Sequence, residues 1–351
     1  MAAHMGSQQS RPRTKPAALR PGDVVGIVAP ASAIKRELLE AGCAGLRRFG
    51  YKPFYFDSIV EEDIYFAGSI KRRARELEQM FTREEVRAVV CARGGYGSNY
   101  LLDEIDLSVI KAHPKIFVGY SDITSLLTYF CDAANLVTFH GPMVTKDFAL
   151  EDGVDAGSWA AAVAGHREWP TGTTSSAALP NEIGGWEMIF SGHKTVKPLA
   201  QGDASGTLYG GCLSILAASL GTPYEIKTTG TVLFLEDIAA KPYQIDRMLM
   251  QLKLAGKFDE VKGIIFGEMI NCVQSPEQRY TLEEVIMRIL GDLGIPVAYG
   301  LPSGHASARN ITLPIGVKAK LSVSDKVRLS ILEPATVASA TGATLATGKR
   351  A

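Results

Sequence analysis

The chain has 351 residues, enough for two domains that each bury a core, and its charge is balanced, with 37 Lys and Arg against 37 Asp and Glu. A sequence pI near 7.0 argues against the basic footprint of a nucleic-acid binder and against a membrane-surface patch. Five scattered cysteines (Cys43, Cys91, Cys131, Cys212, Cys272) form no C-x-x-C pair, and no stretch approaches the ~18 apolar residues of a membrane span; together they point to a cytoplasmic protein without disulfides. The opening "MAAHMGS" reads as an expression scar, so residues 1–19 and the low-complexity stretch 336–351 are expected to be tails.

From there the first half alternates strand and helix signals. "DVVGIVAPA" is a buried apolar run ending near Pro30. "IKRELLEAGCAGLRRFG" places Leu38, Leu39, Gly42, Leu46 and Phe49 on one helical face, closed by Gly50. "KPFYF" reads as a strand, "SIKRRARELEQMF" as a charged amphipathic helix and "VRAVVCA" as a third strand. After a glycine-rich turn and a short helix come the strand "KIFVG", a turn on Ser121, a helix to Cys131 and the strand "LVTFHGP". Such alternation implies right-handed crossovers and a mostly parallel, flavodoxin- or Rossmann-like sheet over 20–165, with sites beyond the C-terminal strand ends. Residues 166–184, rich in Gly, Pro, Ser and Thr, read as a linker. Residues 185–335 read as a β-rich domain with helices at "YQIDRMLMQLKLAG" and "TLEEVIMRILGDLG", closing in antiparallel hairpins at "NITLPIGVKAKLSV" and "KVRLSIL".

Chemistry-bearing residues cluster after strands. In "KIFVGYSDITSLLTYF" the serine stands between strand and helix, where it is either an N-cap or a nucleophile elbow; Ile123 occupies the position of the second glycine of G-x-S-x-G. "CARGGYGSNYLL" is a partial match to a phosphate-binding loop, a tight turn needing positive φ, or a loop whose backbone N–H groups approach a reacting oxygen. "LFLEDI" raises Glu236 and Asp237 at a strand end, where a carboxylate either caps the next helix or serves a site. His305 lies in the small-residue loop "GLPSGHA", with His140 of "FHGP" as its rival; His113, His166 and His193 have weaker surroundings. Ser121, Glu236 and His305 together make a coherent nucleophile, carboxylate and base, split between the two halves so that the site falls in the cleft between them. No Cys/His cluster has metal-ligand spacing, so neither a metal nor another cofactor is expected.

"RGGYGS", "GYSDIT", "HGPM", "FLEDI…PYQIDRML" and "GLPSGH" occur in an order that resembles the signature blocks of the L,D-carboxypeptidases, a serine peptidase family that also contains the microcin-immunity peptidases. The resemblance runs from about Pro21 to Pro334. It implies Ser121 as nucleophile, Glu236 and His305 as its partners, and an oxyanion hole from the backbone N–H groups of Asp122 and Gly95. It also implies an α/β first domain, a β-rich second domain with a small barrel-like sheet, and a homodimer. The implied substrate is the murein tetrapeptide, cleaved to release D-alanine in cell-wall recycling; an acylated nucleotide toxin is the alternative, and the rival from another class is a non-catalytic module that uses the glycine loop for nucleotides or phosphosugars. Cys212 departs from the family pattern, which has a polar residue such as Asn after "YGG". A carboxypeptidase must hold a free carboxylate, for which Arg93, beside Gly94, and Arg247 are candidates, while Trp186 and Tyr243 are candidate aromatic platforms for a base.

Overall fold

The structure, a computed structural model, describes residues 12–164, 179–181, 184–190, 195–275 and 277–338. His166, His193 and nearly all of the expected linker lie outside these residues. The first half contributes strands β1 (Val24–Val28), β2 (Lys52–Phe54), β3 (Val86–Cys91), β4 (Ile116–Gly119) and β5 (Thr138–His140), with helices α1 (Arg36–Arg48), α2 (Ile70–Thr82), α3 (Leu107–Ala112), α4 (Thr124–Ala133) and α5 (Ala156–Trp159). The second contributes β6 (Leu179–Pro180), β7 (Trp186–Phe190), β8 (Lys197–Ala200), β9 (Gly202–Cys212), β10 (Thr231–Glu236), β11 (Gly263–Gly267), β12 (Val297–Leu301), β13 (Leu313–Ile315), β14 (Lys318–Val323) and β15 (Val327–Ile331). Its helices are α6 (Leu213–Ala218), α7 (Pro242–Leu254) and α8 (Leu282–Leu290).

Two sheets result. One has six strands in the order β13-β5-β4-β3-β1-β2, parallel except for β13. The other has nine in the order β6-β7-β15-β14-β9-β10-β11-β12-β8, with a parallel centre from β9 to β12 and antiparallel flanks. The expected hairpin of β14 and β15 forms, but "TLPI" instead crosses to the first sheet as β13, pairing with β5 from Leu313↔His140 to Ile315↔Thr138. The C-terminal half thus edges the N-terminal sheet, where backbone pairing needs only an open strand edge.

Period-2 alternation explains how the sheets are covered. Along β10, Val232 and Phe234 enter a core shared by both sheets, whereas Leu233 and Leu235 face the core under α7 and α8. In the first half, Val89, Cys91 and Phe117 face α2 and α4, while Ala88, Val90 and Ile116 face the shared core. Both faces are covered, so these strands are nearly all apolar.

Three local expectations are corrected. On α1, Leu38 is 45% exposed and the packed face is Leu39, Gly42, Cys43, Gly45 and Leu46, because two glycines let the helix lie directly on the Val144 and Phe148 backbone. Residues 12–19 are not a free tail: Thr14 bridges Leu136 and Ala17 bridges Val337. Ala335 and Thr336 are buried beside them, so the fold extends past the expected boundary at 335.

Candidate active site

Five strands of the two parallel regions end in chemistry-bearing residues: the glycine loop after β3, Ser121 after β4, His140 closing β5, Glu236 closing β10 and His305 shortly after β12. In a parallel sheet these C-terminal ends share one edge, which is why a site collects there.

Ser121 has φ 62. A β-carbon makes this left-handed region costly for L residues, by roughly 1–2 kcal/mol, and serine is not among the residues that visit it routinely. Such strain marks a serine lifted on a sharp strand-to-helix turn, not a relaxed N-cap; the cap position falls on Tyr120, and Ser121 is the first residue of the turn. Gly119 makes the turn possible: a Cβ there would lie 2.7 Å from Ile123 Cγ2. Ile123, which displaced the second glycine of the elbow pattern, is fully buried in the space that Gly119 leaves open.

The glycine loop is tied to this turn. Ser98 donates its backbone N–H to Asp122 Oδ2 (2.8 Å) and its hydroxyl to Asp122 O (2.6 Å). Buried Arg73 reaches the same loop, donating to Gly97 O (2.8 Å) and to Pro30 O (2.5 Å), and Ser32 Oγ accepts Tyr96 N–H (3.0 Å). A Cβ on Gly94 would stand 2.8 Å from Ser121 Cβ, 3.1 Å from its Oγ and 3.3 Å from Asp122 N. Gly95, at φ +107, points its absent side chain at Ser32 instead. Gly94 therefore keeps open the space in front of the serine and the Asp122 N–H, while the Gly95 conformation holds the loop's shape. Burial raises the Asp122 carboxyl, with the Ser98 hydrogen bonds opposing.

On the opposite wall Glu236 is fully buried. Its Oε2 accepts His305 Nδ1–H at 2.6 Å and His305 backbone N–H at 3.2 Å. A carboxylate only accepts, so Nδ1 carries the proton and the lone pair of the ring is on Nε2. Gly304, at φ +83, is required for the approach: a Cβ there would meet His140 Cε1 at 2.7 Å and Glu236 Cδ at 2.8 Å. Asn310 clamps this glycine from both sides, accepting its N–H and donating to its carbonyl, each at 3.0 Å. Tyr120, immediately before Ser121, sets its ring edge-on to His305 at 5.2 Å, joining the two walls. Asp237 caps no following helix: it accepts Ser214 N–H (2.8 Å) at the start of the preceding helix α6, while Glu236 turns to the histidines.

Burial alone would raise the Glu236 carboxyl, but the His305 hydrogen bond and the two imidazoles beside it, His140 and His305, outweigh it and hold the group at about 2, against an ordinary 4.5. Ionised Glu236 therefore stabilises the fold above pH 4.5, and this contribution is lost as the pH falls from 4.5 through 2. Unfolding free energy measured at pH 6 and pH 3 should fall more steeply for wild type than for Glu236→Gln, by about 2 kcal/mol, the remainder being lost only below pH 3. Parallel slopes would show that the carboxyl titrates at its ordinary value.

The remaining candidates are dispersed. Trp186 is 1% exposed on β7 and offers no face to a ligand, which corrects its reading as a platform; it lies on the inward face of β7, whose other face carries the exposed Ile189, and belongs to the shared core. Tyr243 is 58% exposed, with Arg247 stacked on it one turn along α7 at 5.5 Å. Arg93 is exposed beside the glycine loop and donates to Ala33 O (3.3 Å). Cys212 is buried, its N–H bonded to Thr124 Oγ1 (3.0 Å) across the two halves, and burial raises its thiol far above the ordinary value, beside Glu236 and Asp237. His113 is exposed at the end of α3. Sequence reasoning missed Ser32, Arg73, Ser303 and Asn310; only tertiary approach brings them to the loops they brace. Ser98 and Ser303 both stand inside quoted motifs, "RGGYGS" and "GLPSGH", but nothing in the sequence assigned either a role.

A strained serine facing an open glycine loop, across from an imidazole anchored on a buried carboxylate, has the parts of a serine hydrolase. Residues 25–141 match the LD-carboxypeptidase N-terminal domain and residues 205–321 the LD-carboxypeptidase C-terminal domain. The chain belongs to this family and is a serine-type carboxypeptidase. A probable murein peptide carboxypeptidase of Bacillus subtilis is 39% identical over 316 residues, covering 89% of this chain and 92% of that protein. The microcin C7 self-immunity protein MccF of Escherichia coli is 29% identical over 333 residues, 90% of this chain and 95% of its own. Among solved structures, muramoyltetrapeptide carboxypeptidase from Oxalobacter formigenes superposes with a TM-score of 0.72 at 28% identity, covering 89% and 99% of the two chains.

Proposed function

We propose that this carboxypeptidase removes the terminal D-alanine from murein tetrapeptides through an acyl-enzyme formed on Ser121. The observation that carries the reading is the Ser121 backbone: a serine held at φ 62 between β4 and α4 is a costly conformation with a chemical use. In this reading His305 Nε2 takes the Ser121 proton as Oγ attacks the scissile carbonyl, then returns it to the leaving amine. Glu236 keeps the proton on Nδ1 and stabilises the imidazolium. The tetrahedral oxyanion is met by the N–H of Asp122, at the start of the short helical turn leading into α4, and by the N–H of Gly95 in the glycine loop. Water then repeats the sequence on the acyl-enzyme, freeing the tripeptide. In this reading Arg93, exposed beside this loop, grips the substrate carboxylate.

Similarity to the MccF self-immunity protein supports a second reading, in which the acyl group sits on a nucleotide analogue. Incubation with muropeptide tri-, tetra- and pentapeptides and with an aminoacyl sulfamoyl nucleoside, read by mass spectrometry, separates the two. Loss of one D-alanine from the tetrapeptide, with the nucleoside untouched, is the expected result. Cleavage of the nucleoside alone would replace the murein assignment.

A further inference from the structure

Glu236 has two oxygens, and the mechanism above uses one. The other, Oε1, is buried without a hydrogen-bond partner, and so is Nε2 of His140. These two orphans face each other at 3.7 Å. Buried polar atoms are rarely left unmet, because each costs about 1–3 kcal/mol, and here two stand within a fraction of an ångström of bonding distance.

The far side of the ring specifies which protons His140 carries. Its Nδ1 lies 3.2 Å from Ser303 Oγ, and Ser303 spends its single proton on Ile311 O at 2.8 Å. The hydroxyl can therefore only accept from His140, so Nδ1 is protonated. A neutral ring in that tautomer would turn the Nε2 lone pair toward a carboxylate oxygen in a fully buried site, a repulsion that a second proton converts into attraction. We infer that His140 is a positioning residue that carries both ring protons and grips Glu236 Oε1 through Nε2–H, so that the carboxylate is held by an imidazole on each oxygen. The inference rests on the serine-hydrolase reading of Ser121, Glu236 and His305.

The groups around His140 fit this charge. From β10 come Glu236 and the edge-on Phe234 ring at 5.0 Å; from the turn after β4 comes the Tyr120 ring at 6.0 Å; from the loop after β12 come Ser303 and His305. Asp147 lies behind Tyr120, and Cys212 and Asp237 lie beside Glu236. The thiol and the phenol are buried and neutral, because burial raises both, so the ionised partner of His140 is Glu236. A carboxylate held at one oxygen can pivot about its last bond and carry His305 with it; held at both, it cannot. Misplacing a catalytic group by an ångström can cost about 10²-fold in rate.

Two measurements test this. Nitrogen-15 spectra of histidine-labelled Ser121→Ala protein at neutral pH should show one ring with both nitrogens protonated, and that signal should vanish in Ser121→Ala/His140→Gln. In the active background, His140→Phe should lower active-site-titrated kcat by about 10²-fold with KM nearly unchanged, and His140→Gln, whose amide can still donate to Oε1, should recover part of it. A neutral His140 signal overturns the assigned protonation. A His140→Phe enzyme with lowered melting temperature but full titrated kcat reduces His140 to packing and overturns the role. Should Ser121→Ala itself retain turnover, the catalytic reading fails first, whatever His140 does.

Discussion

Ser121→Ala is expected to lower kcat by something on the order of 10⁴- to 10⁶-fold while the protein folds as well as wild type or better. The side chain is only partly buried and stands outside the cap position, so its loss removes little packing, and Ala at φ 62 bears the same strain that serine does. Ser121→Gly, which relieves that strain, should raise the melting temperature and be equally inactive. His305→Ala should cost about as much as Ser121→Ala, and the double variant no more than either, because nucleophile and base act as one unit. Glu236→Gln should cost less, since nucleophile and base survive with their orientation damaged. Multiplicative losses in the double variant would assign Ser121 and His305 independent roles and undo the acyl-enzyme scheme. The comparison needs kcat and melting temperature on the same preparations.

Gly94→Ala and Gly95→Ala, adjacent and chemically identical changes, should fail in opposite ways. Gly94 does not require a left-handed backbone, but its Cβ would press on Ser121 and stand 3.3 Å from Asp122 N, in the space a developing oxyanion must enter. Its titrated kcat should drop by about 10²–10³-fold, the cost typical of losing one oxyanion donor. Binding of uncleaved peptide to a Ser121→Ala background should change less, since the oxyanion exists only in the transition state. Gly95→Ala must adopt φ +107 and displace Ser32, so its main loss is stability, with kcat following only as far as the loop shifts. A Gly94→Ala enzyme that melts early yet turns over normally would show that the loop is a structural turn and that no oxyanion forms beside it.

Much of the site was readable because its residues sit where two local signals meet. Ser121 ends an apolar run and opens a helical one, Glu236 ends the run "TVLFLE", and His305 follows "PVAYGLPSG"; period and punctuation place each at a strand terminus without any tertiary information. Asp237 shows the limit. It adjoins Glu236, has the same charge and the same position at a strand end, and only the direction in which each side chain leaves β10 separates a helix cap from a site carboxylate. His140 shows it again: as a rival to His305 it was an either-or choice, and the fold makes it neither rival nor bystander by setting it on the other oxygen of the same carboxylate.

Apolar periodicity is a property of neighbouring residues, so the order of strands and helices, the parallel core and the strand-end placement of serine, carboxylate and histidine were decided by the sequence alone. Approach between distant segments leaves no period. The crossing of β13 to the N-terminal sheet, the docking of residues 12–19 against 335–338, the burial of Trp186 and the bracing of the glycine loop by Ser32, Arg73 and Ser98 all depend on contacts spanning many residues. Those were decided only when both sheets closed on one shared core. There Gly42, Gly45, Gly94 and Gly304 became points of close contact, and nearly every buried polar group was matched by a partner.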